Sequence, residues 1–454
     1  MFSKLKVISI TLRSSIYLNR KYCSSISSKI KVCDSNIKGN NLDVAELKEN
    51  YKCLAESLNN VETNPYYIEN GLRKVYPYYF RHTTYCKGRW IKKPLIDVYT
   101  QEFSLYPREE IEKRILAGVL RVNGEVVDLN YVLKNTDVIT ANVHRHELPV
   151  WACSMKVIFE DDDILVVDKP SSIPVHPCGL YRYNSAAFIL EYQEKRKDLH
   201  VTHRLDRLTS GILIFAKSSE KSNEIHENLN LRNVEKEYFC RVEGEFPDGV
   251  IVCNKPLKKI YSKVGIALVH PLGKISVTEF QKLSYNGKSS VVRCKPYTGR
   301  THQIRAHLQY IGHPIVNDVL YNSYVFGPEK GKHGILHKDI NQLLIDLVKE
   351  HSVNWWLGKL EENKVMDSEV DINIKKLISN INCYSLDEKL LSDSYKKDSS
   401  KLTSENNCYF CKNVFCDPKP SNMFMFLHAY KYKTNKWEYQ TEIPVWASDD
   451  WNIM

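Results

Sequence analysis

Short apolar runs follow one another closely between about 155 and 325, and they constrain the fold of this chain more than any other feature. Their length and β-branched composition predict strands at 157–159, 164–167, 211–216, 238–242 and 290–294. Helical periodicity predicts helices at about 184–195, 219–230 and 301–310. Strands outnumber helices and come in hairpin-like pairs, so the segment predicts an α+β fold on a mixed, largely antiparallel sheet. It contains neither a dinucleotide-binding glycine fingerprint nor a P-loop.

Charge is distributed unevenly along the 454 residues, which carry a formal net charge of +10. Seven basic residues and no acidic residue lie within 1–33, so the rest of the chain holds 57 basic against 54 acidic residues, a net charge of +3. So small a charge argues only weakly for a nucleic-acid partner, and local patches have to carry that argument. The sequence has no run of eighteen apolar residues, which excludes a spanning helix, and no membrane partner is expected.

The segment 1–33 is basic, rich in serine and free of acids, with apolar residues at near-helical spacing. This pattern is typical of an organellar transit peptide, and it predicts a mitochondrial protein. A basic disordered tail on a cytoplasmic protein, or a tail that touches RNA, are the alternatives. Residues 34–65 are polar and predict a linker with one short helix. The thirteen scattered cysteines predict a reducing compartment and mostly free thiols.

Residues 66–150 combine an aromatic, basic segment with a small domain. Aromatic and cationic residues alternate through 71–90, which suits a surface that stacks bases and meets phosphates; two packed strands are the alternative. A helix at about 108–117, a hairpin turn at Asn123 and Gly124, and a strand near 136–139 follow. Together they resemble a small α/β RNA-binding module first seen in a small-subunit ribosomal protein. A purely structural small domain is the alternative.

The last third of the chain changes character twice. Residues 328–406 are rich in Lys, Asp, Ser and Asn, and they predict a polar, partly disordered insertion. Structure is expected to resume within 407–454, where 424–427 is strand-like.

An aspartate between two arginines marks the first candidate site. Arg204, Asp206 and Arg207 lie in the string 203–211, which leads into the strand at 211–216. Nearby cations lower the pKa of a carboxyl group, so Asp206 is expected to be ionised, a poor general acid but a usable nucleophile or base. The arginines also suit phosphates. A structural Asp–Arg pair in a turn is the alternative.

A second candidate site lies at 299–308. Thr301 is expected to cap a helix, with Arg300, His302 and Arg305 crowded near its start, where backbone N–H groups and arginines favour an anion. A metal pair is not expected, because His302 and His307 would lie on different helix faces. Between the two sites, Tyr238 at the start of a strand either packs or stacks on a base.

The order of several strings resembles the RluA-type pseudouridine synthases: 168–170 and 175–177 come first, and 203–211, 235–244 and 299–307 follow. The aromatic segment 71–103 and the tail at 426–447 are similar to the eukaryotic branch that modifies the anticodon loop of tRNA. The resemblance is missing mainly from 1–65 and 330–405.

The resemblance implies a pseudouridine synthase fold, with a catalytic domain at 151–327 that 407–454 completes. It also implies a monomeric RNA isomerase that cleaves the bond between ribose and N1 of uridine, turns the base and rejoins it through C5, without metal or organic cofactor. Asp206 would be the catalytic carboxylate, either attacking the ribose or taking a proton from it. Tyr238 would stack on the extruded uracil, and Arg305 would pair with Asp206. The residues implied to bind RNA or line the cleft are Arg204, Arg207, Lys169, His176, Arg300 and His302.

The implied substrate is tRNA at uridine 32. A ribosomal-RNA enzyme of the same family and a catalytically silent RNA-binding factor are the rivals. One departure is Ser172, which stands where the family usually has glycine, so a turn with positive φ is expected to be lost. Cys408 and Cys411, with Cys416 and His428 downstream, are interpreted as free thiols without a metal, a zinc site being the alternative.

Overall fold

The computed structural model describes residues 65–103, 108–196, 198–261, 265–350, 395–406, 408–413, 415–448 and 451. The predicted transit segment, all of the predicted linker but Pro65, and residues 351–394 of the predicted insertion lie outside the described residues. The described residues belong to one compact unit. Within them, no helix combines the length and the apolar character needed to cross a bilayer.

The first part of the described chain forms two small sheets and two helices. In chain order the elements are β1 (Tyr66–Glu69), β2 (Leu72–Val75), β3 (Tyr78–Tyr85), α1 (Leu95–Glu102), α2 (Arg108–Leu116), β4 (Leu120–Val122), β5 (Val138–Arg145) and β6 (Val150–Trp151). The sheets have the strand orders β1-β2-β6 and β3-β5-β4. The helices pack around an apolar core of their own that includes Trp90, Leu95, Ile111 and Ile115, each at most 1% exposed.

The predicted turn at Asn123 and Gly124 forms, but the predicted hairpin is almost absent. Both residues have positive φ, 54° and 88°, as a tight two-residue turn requires. Beyond it only Val122 and Glu125 pair, because β4 takes β5 as its partner instead. The predicted turn is therefore present, but the strand that pairs with β4 is β5, which lies farther along the chain.

The remaining elements build the larger part of the described chain around a ten-stranded sheet. They are β7 (Lys156–Glu160), β8 (Ile164–Lys169), α3 (Ala186–Phe188, continued as a π-helix over Ile189–Gln193), β9 (His200–Val201), β10 (Ser210–Ala216), α4 (Ser219–Asn230), β11 (Glu235–Glu243), β12 (Val250–Cys253), β13 (Leu257–Tyr261), β14 (Ile266–Val269), β15 (Thr278–Tyr285), β16 (Ser289–Pro296), α5 (Gln303–Tyr310), α6 (Ile340–Glu350), β17 (Leu427–Lys433) and β18 (Glu438–Gln440). The main path runs β12-β15-β16-β11-β17-β10-β8-β7, and every neighbouring pair is antiparallel except β10 with β17. The predicted α+β class with a mixed, largely antiparallel sheet is confirmed.

Strand β17 comes from the C-terminal part of the chain and lies in the middle of this sheet, between β10 and β11. Its contact with β10 is unusually close at Gly211, which has φ of +107°. A Cβ atom there would lie 2.2 Å from the carbonyl oxygen of Ala429, so only glycine fits. β17 therefore joins the strand that follows Asp206 to the strand that carries Tyr238.

Within 328–406, interpreted as a polar and partly disordered insertion, residues 340–350 form the helix α6. Leu343 and Leu347, one helical turn apart, are buried in a core shared with Leu257, Tyr321 and Phe326. This i, i+4 pair is the apolar stripe of an amphipathic helix. The apolar residues of this helix lie within a segment that is otherwise polar, so the helix was not predicted from the sequence.

Ser172 keeps the turn that was expected to be lost. It has φ of +70° despite its side chain, and it is fully buried. Its Oγ accepts a hydrogen bond of 2.9 Å from the backbone N–H of Trp151. Since a non-glycine residue at positive φ costs about 1–2 kcal/mol, this hydrogen bond offsets part of the strain and ties the turn to β6.

Candidate active site

A chain of three charged side chains forms the centre of the candidate site. Arg305 on α5 donates from Nη1 to Oδ2 of Asp206 over 2.9 Å. The same guanidinium donates from Nε and Nη2 to the two carboxylate oxygens of Asp318, over 2.7 and 2.8 Å. Asp318 also accepts the backbone N–H groups of Leu320 and Tyr321. The bidentate pair fixes the guanidinium plane, so its remaining nitrogen has one direction in which to meet Asp206.

Asp206 is the accessible end of this chain. Its side chain is 33% exposed, whereas those of Arg305 and Asp318 are 6% and 0% exposed. Burial raises the pKa of the Asp206 carboxyl, but attraction by His302, Arg305 and Arg204 outweighs it, and the net shift is downward. Burial itself lowers the pKa of His302 to about 4, so at neutral pH that imidazole is uncharged and the arginines supply the attraction. Asp206 is thus an ionised carboxylate open to solvent.

His302 begins α5 in an unexpected way. It has φ of +51° and stands at the N-cap, so the prediction that Thr301 caps the helix is wrong. The Oε1 atom of Gln303 reaches back and accepts the backbone N–H of Arg300 instead. The left-handed turn brings Nε2 of His302 to 3.6 Å from Oδ2 of Asp206 and Nδ1 to 3.2 Å from the hydroxyl of Tyr321.

Tyr238 lies in β11 beside a register shift in the pairing with β17. The register passes from the Glu237–Lys431 pair to the Tyr238–Ala429 pair, so the extra residue, Tyr430, lies in β17. Such bulges are over-represented next to active sites. Its hydroxyl is 2.5 Å from that of Tyr432 on β17, and both rings are buried. Burial raises the pKa of Tyr238 to about 12, and the Asp206 carboxylate contributes to this rise. Tyr238 is therefore neutral at physiological pH and lies near the charged chain.

Lys169 does not occupy the place expected of a residue in contact with RNA. It is fully buried, and its Nζ donates to the carbonyl oxygens of Pro170 and Ile173 over 2.7 and 2.8 Å, with that of Arg207 at 3.4 Å. A phosphate could reach this ammonium only if those carbonyls lost their donor. The contacts link the end of β8 to the loop that carries Asp206, so Lys169 holds the loop from within.

The other predicted RNA-contacting residues lie at or near the surface. Arg204 and Arg300 are exposed, and Arg207, His176 and His302 are half-buried. The Arg207 guanidinium lies 5.7 Å from the ring centroid of Tyr181, and burial, with Arg204 nearby, lowers the pKa of His176. Arg204 and Arg207 thus place two cations in the loop that carries Asp206, and Arg204 is close enough to His176 to affect its pKa.

The aromatic segment 71–90 is mostly packed, which favours the second of its two interpretations. Trp90 is buried, Tyr78 donates to Glu147 over 2.7 Å, and Arg73 is buried against Asn184. One face of β3 differs, because alternate residues point outward and leave Arg81, Thr83 and Tyr85 exposed. Lys87 follows them and is exposed as well.

Two residues of the site were missed by reasoning from the sequence. Asp318 was assigned no role, and nothing local marks it as the partner of a residue on the preceding helix. Tyr432 lies in an alternating strand whose place beside Tyr238 depends on a pairing across 194 residues. No local signal could have found either contact.

Comparison with known proteins identifies relatives of this chain. A family described as RNA pseudouridylate synthase matches residues 163–310. Human pseudouridylate synthase RPUSD2 is 45% identical over 410 residues, covering 85% of this chain and 75% of the human protein. The mitochondrial tRNA pseudouridine(32) synthase of Saccharomyces cerevisiae is 37% identical over 397 residues, covering 84% of this chain and 78% of the yeast protein. The tRNA pseudouridine(31) synthase of the same yeast is 33% identical over 432 residues, covering 85% and 97%.

Proposed function

We propose that this chain, which belongs to the RNA pseudouridine synthase family, converts uridine to pseudouridine in the anticodon loop of a tRNA, with position 32 as its target. Members of this family are isomerases, so the reaction class follows from membership. The tRNA substrate rests on the names of the yeast relatives, which specify positions 32 and 31. The similarity of 71–103 to the anticodon-loop branch supports it further.

The observation that carries the proposal is the Asp318–Arg305–Asp206 chain. The isomerisation breaks the N1–C1′ bond of uridine, forms a C5–C1′ bond, moves the C5 proton to solvent and returns a proton to N1, so no co-reactant is needed. An ionised, solvent-accessible carboxylate suits either proposed role of Asp206, as the group that attacks the ribose or as the base that takes a proton from it. Arg305 holds that carboxylate charged and aimed.

The base has to leave the RNA stack before it can meet Asp206. We assign this task to Arg204, which is exposed two residues before Asp206 and suits a backbone phosphate. Arg207, Arg300 and His176 provide further polar or cationic contacts on the neighbouring loops. Tyr238 would lie against the uracil ring, while its hydroxyl stays with Tyr432.

The direct test uses the full chain with unmodified tRNA transcripts that carry uridine 32, followed by chemical mapping of pseudouridine. We expect product at position 32 and none when that uridine is replaced by cytidine. A ribosomal-RNA fragment is assayed in parallel. Product at position 31 alone, or only in the ribosomal fragment, would overturn the proposed target. Binding without product in any RNA would favour a silent binding factor.

Tyr238→Phe tests the hydroxyl separately from the ring. Phe keeps the stacking surface but removes the hydroxyl. We propose that this hydroxyl assists proton removal at C5, so we expect kcat to fall about 10²-fold with little change in KM. Tyr432→Phe is the matched control, because it removes the other member of the same hydrogen bond. If both variants lose activity equally, the hydrogen bond positions the ring and the hydroxyl of Tyr238 has no chemical role.

The exposed face of β3 and Lys87 are proposed to bind tRNA away from the reacting base. We expect the double variant Arg81→Glu/Lys87→Glu to raise KM at least about tenfold with kcat unchanged, and to reduce the salt dependence of binding. Glu substitutions of Lys113 on α2 and Lys349 on α6 serve as a charge-matched control. An unchanged KM in the first variant would place the RNA elsewhere.

We propose mitochondrial localisation, supported by the composition of 1–33 and by the name of one yeast relative. A fluorescent fusion of the full chain should colocalise with mitochondria, and deletion of 1–33 should redirect it to the cytosol. The control variant deletes 34–62, a segment of similar length that contains acidic residues. Cytosolic fluorescence of the intact fusion would contradict the proposal.

A further inference from the structure

Two histidines and two cysteines that are not part of the candidate active site come together in the structure. They are His144 at the end of β5, His146 just after it, and Cys408 and Cys411 from the C-terminal part of the chain. One potential ligand atom from each lies within 4.8 Å of all the others. The Sγ atom of Cys411 lies 3.3 Å from both Nδ1 of His144 and Nε2 of His146, and those two nitrogens lie 3.2 Å apart.

The three separations among Cys411, His144 and His146 are close to the edges of a tetrahedron around zinc, and Cys408 lies within 4.8 Å of all three. With Zn–N of about 2.0–2.1 Å and Zn–S of about 2.3 Å, ligand atoms stand roughly 3.3–3.8 Å from one another. Cys408 and His144 are 2% and 5% exposed, so the group is largely shielded from solvent. Two cysteines and two histidines also form one of the common donor sets of structural zinc.

The hydrogen bonds around His144 orient its ring for a metal. Thr403 donates its hydroxyl proton to the carbonyl of Pro77 over 2.6 Å, so its oxygen is left to accept from Nε2–H of His144 over 2.8 Å. That contact places the ring proton on Nε2 and leaves the lone pair of Nδ1 facing Cys411. A metal-binding histidine characteristically donates its other ring N–H in this way.

We propose that His144, His146, Cys408 and Cys411 bind one Zn²⁺ ion tetrahedrally. Four protein ligands leave no open position, so the ion is structural and takes no part in the isomerisation. The ligand pairs are 262 or more residues apart in sequence, so the ion fastens 408–411 to the sheet β3-β5-β4. That segment leads into β17, whose position between β10 and β11 completes the site.

The zinc alternative considered from the sequence thus named two of the proposed ligands, Cys408 and Cys411. Its other two residues, Cys416 and His428, are not ligands in this proposal. His428 is buried between Ser210 and Thr441, at 2.9 and 2.6 Å, and is not a member of the group. Cys416 is not a member either. The two histidines that replace them precede the cysteines by more than 250 residues, so spacing within the C-terminal segment could not reveal them.

The test is the metal content of the full chain, purified under reducing conditions from cells supplied with zinc. We expect one zinc per chain, its loss in Cys411→Ser, and its retention in the matched control Cys416→Ser. Wild type stripped by a chelator should regain one equivalent of Zn²⁺, or of Co²⁺ with the visible absorption of a tetrahedral site with thiolate ligands. The stripped protein should also melt at a lower temperature than the zinc form.

Wild-type protein without zinc that takes up neither Zn²⁺ nor Co²⁺ after reduction would overturn the proposal. So would stoichiometric zinc in Cys411→Ser, or a Cys408–Cys411 disulfide that persists in the reduced preparation. If Cys411→Ser does not fold, the strip-and-restore experiment on wild type decides alone, because it changes no residue.

Discussion

Replacing Asp206 with Asn will abolish pseudouridine formation while leaving tRNA binding and the fold in place. Asn has the same size and keeps an oxygen that can accept the hydrogen bond from Arg305, so the local packing survives. It has no negative charge, and an amide is neither a nucleophile nor a base at neutral pH. Removal of a central catalytic group costs about 10⁴-fold or more in kcat, so product should be undetectable.

Single-turnover assays with excess enzyme will measure this loss, and filter binding will measure the affinity for tRNA. Asp162→Asn is the matched control, because it makes the same substitution at an exposed position of the same domain. Wild-type product formation by Asp206→Asn would remove this residue from the chemistry. Loss of tRNA binding together with activity would instead make Asp206 a structural residue.

The activity of wild type should also persist into mildly acidic solution. His302, Arg305 and Arg204 hold the pKa of Asp206 below the usual range of an aspartate, although partial burial raises it. The carboxylate therefore stays ionised at pH 5, where its role still requires the charge. In a profile of kcat/KM against pH, any acidic limb above pH 5 must arise from another group.

The sequence allowed the sheet and the position of Asp206 to be predicted, because both depend on local patterns. Alternating apolar runs predict strands wherever they occur, and the residues around Asp206 form a contiguous string. The contacts that aim Asp206 could not be predicted in this way. Arg305 was implied as its partner by family resemblance, whereas Asp318, which fixes Arg305, was not assigned a role at all.

Lys169 and Tyr432 illustrate the same limit from opposite directions. The family resemblance implied that Lys169 binds RNA or lines the cleft, yet its Nζ donates to the backbone carbonyls of Pro170 and Ile173. Tyr432 carries no signal of function, yet it holds the hydroxyl of Tyr238. In both cases the role of the side chain depends on which segment of the chain lies next to it. The order of the strands in the sheet determines that neighbour, and a local sequence pattern does not contain it.

Asp318→Asn should destabilise the protein and lower its activity together, unlike Asp206→Asn. The variant keeps an oxygen for the N–H groups of Leu320 and Tyr321 but removes the charge that meets the buried Arg305. Breaking one side of a buried ion pair costs about 3–5 kcal/mol, so the free energy of unfolding should fall by that amount. Asp339→Asn is the control, since Asp339 also accepts two backbone N–H groups but is exposed.

The loss should depend on pH in a defined direction. Burial raises the pKa of the Asp318 carboxyl, but Arg305 and two backbone N–H groups lower it by a larger amount. The pKa in the folded protein therefore lies below that in the unfolded chain. The charge of Asp318 therefore stabilises the fold fully above the unfolded value of about 3.9, and this contribution is lost as pH falls toward the folded value. Denaturant unfolding at pH 7 and pH 3 should show a smaller difference between wild type and Asp318→Asn at pH 3.

A double variant separates the structural part of this effect from positioning. Arg305→Gln removes the uncompensated buried charge that Asp318→Asn leaves, so the pair Asp318→Asn/Arg305→Gln should recover part of the lost stability. It should not recover kcat, because Asp206 then lacks the guanidinium that aims it. If kcat returns together with stability, Arg305 and Asp318 only hold the fold. If kcat stays low while KM for tRNA is unchanged, the buried pair positions the carboxylate that performs the reaction.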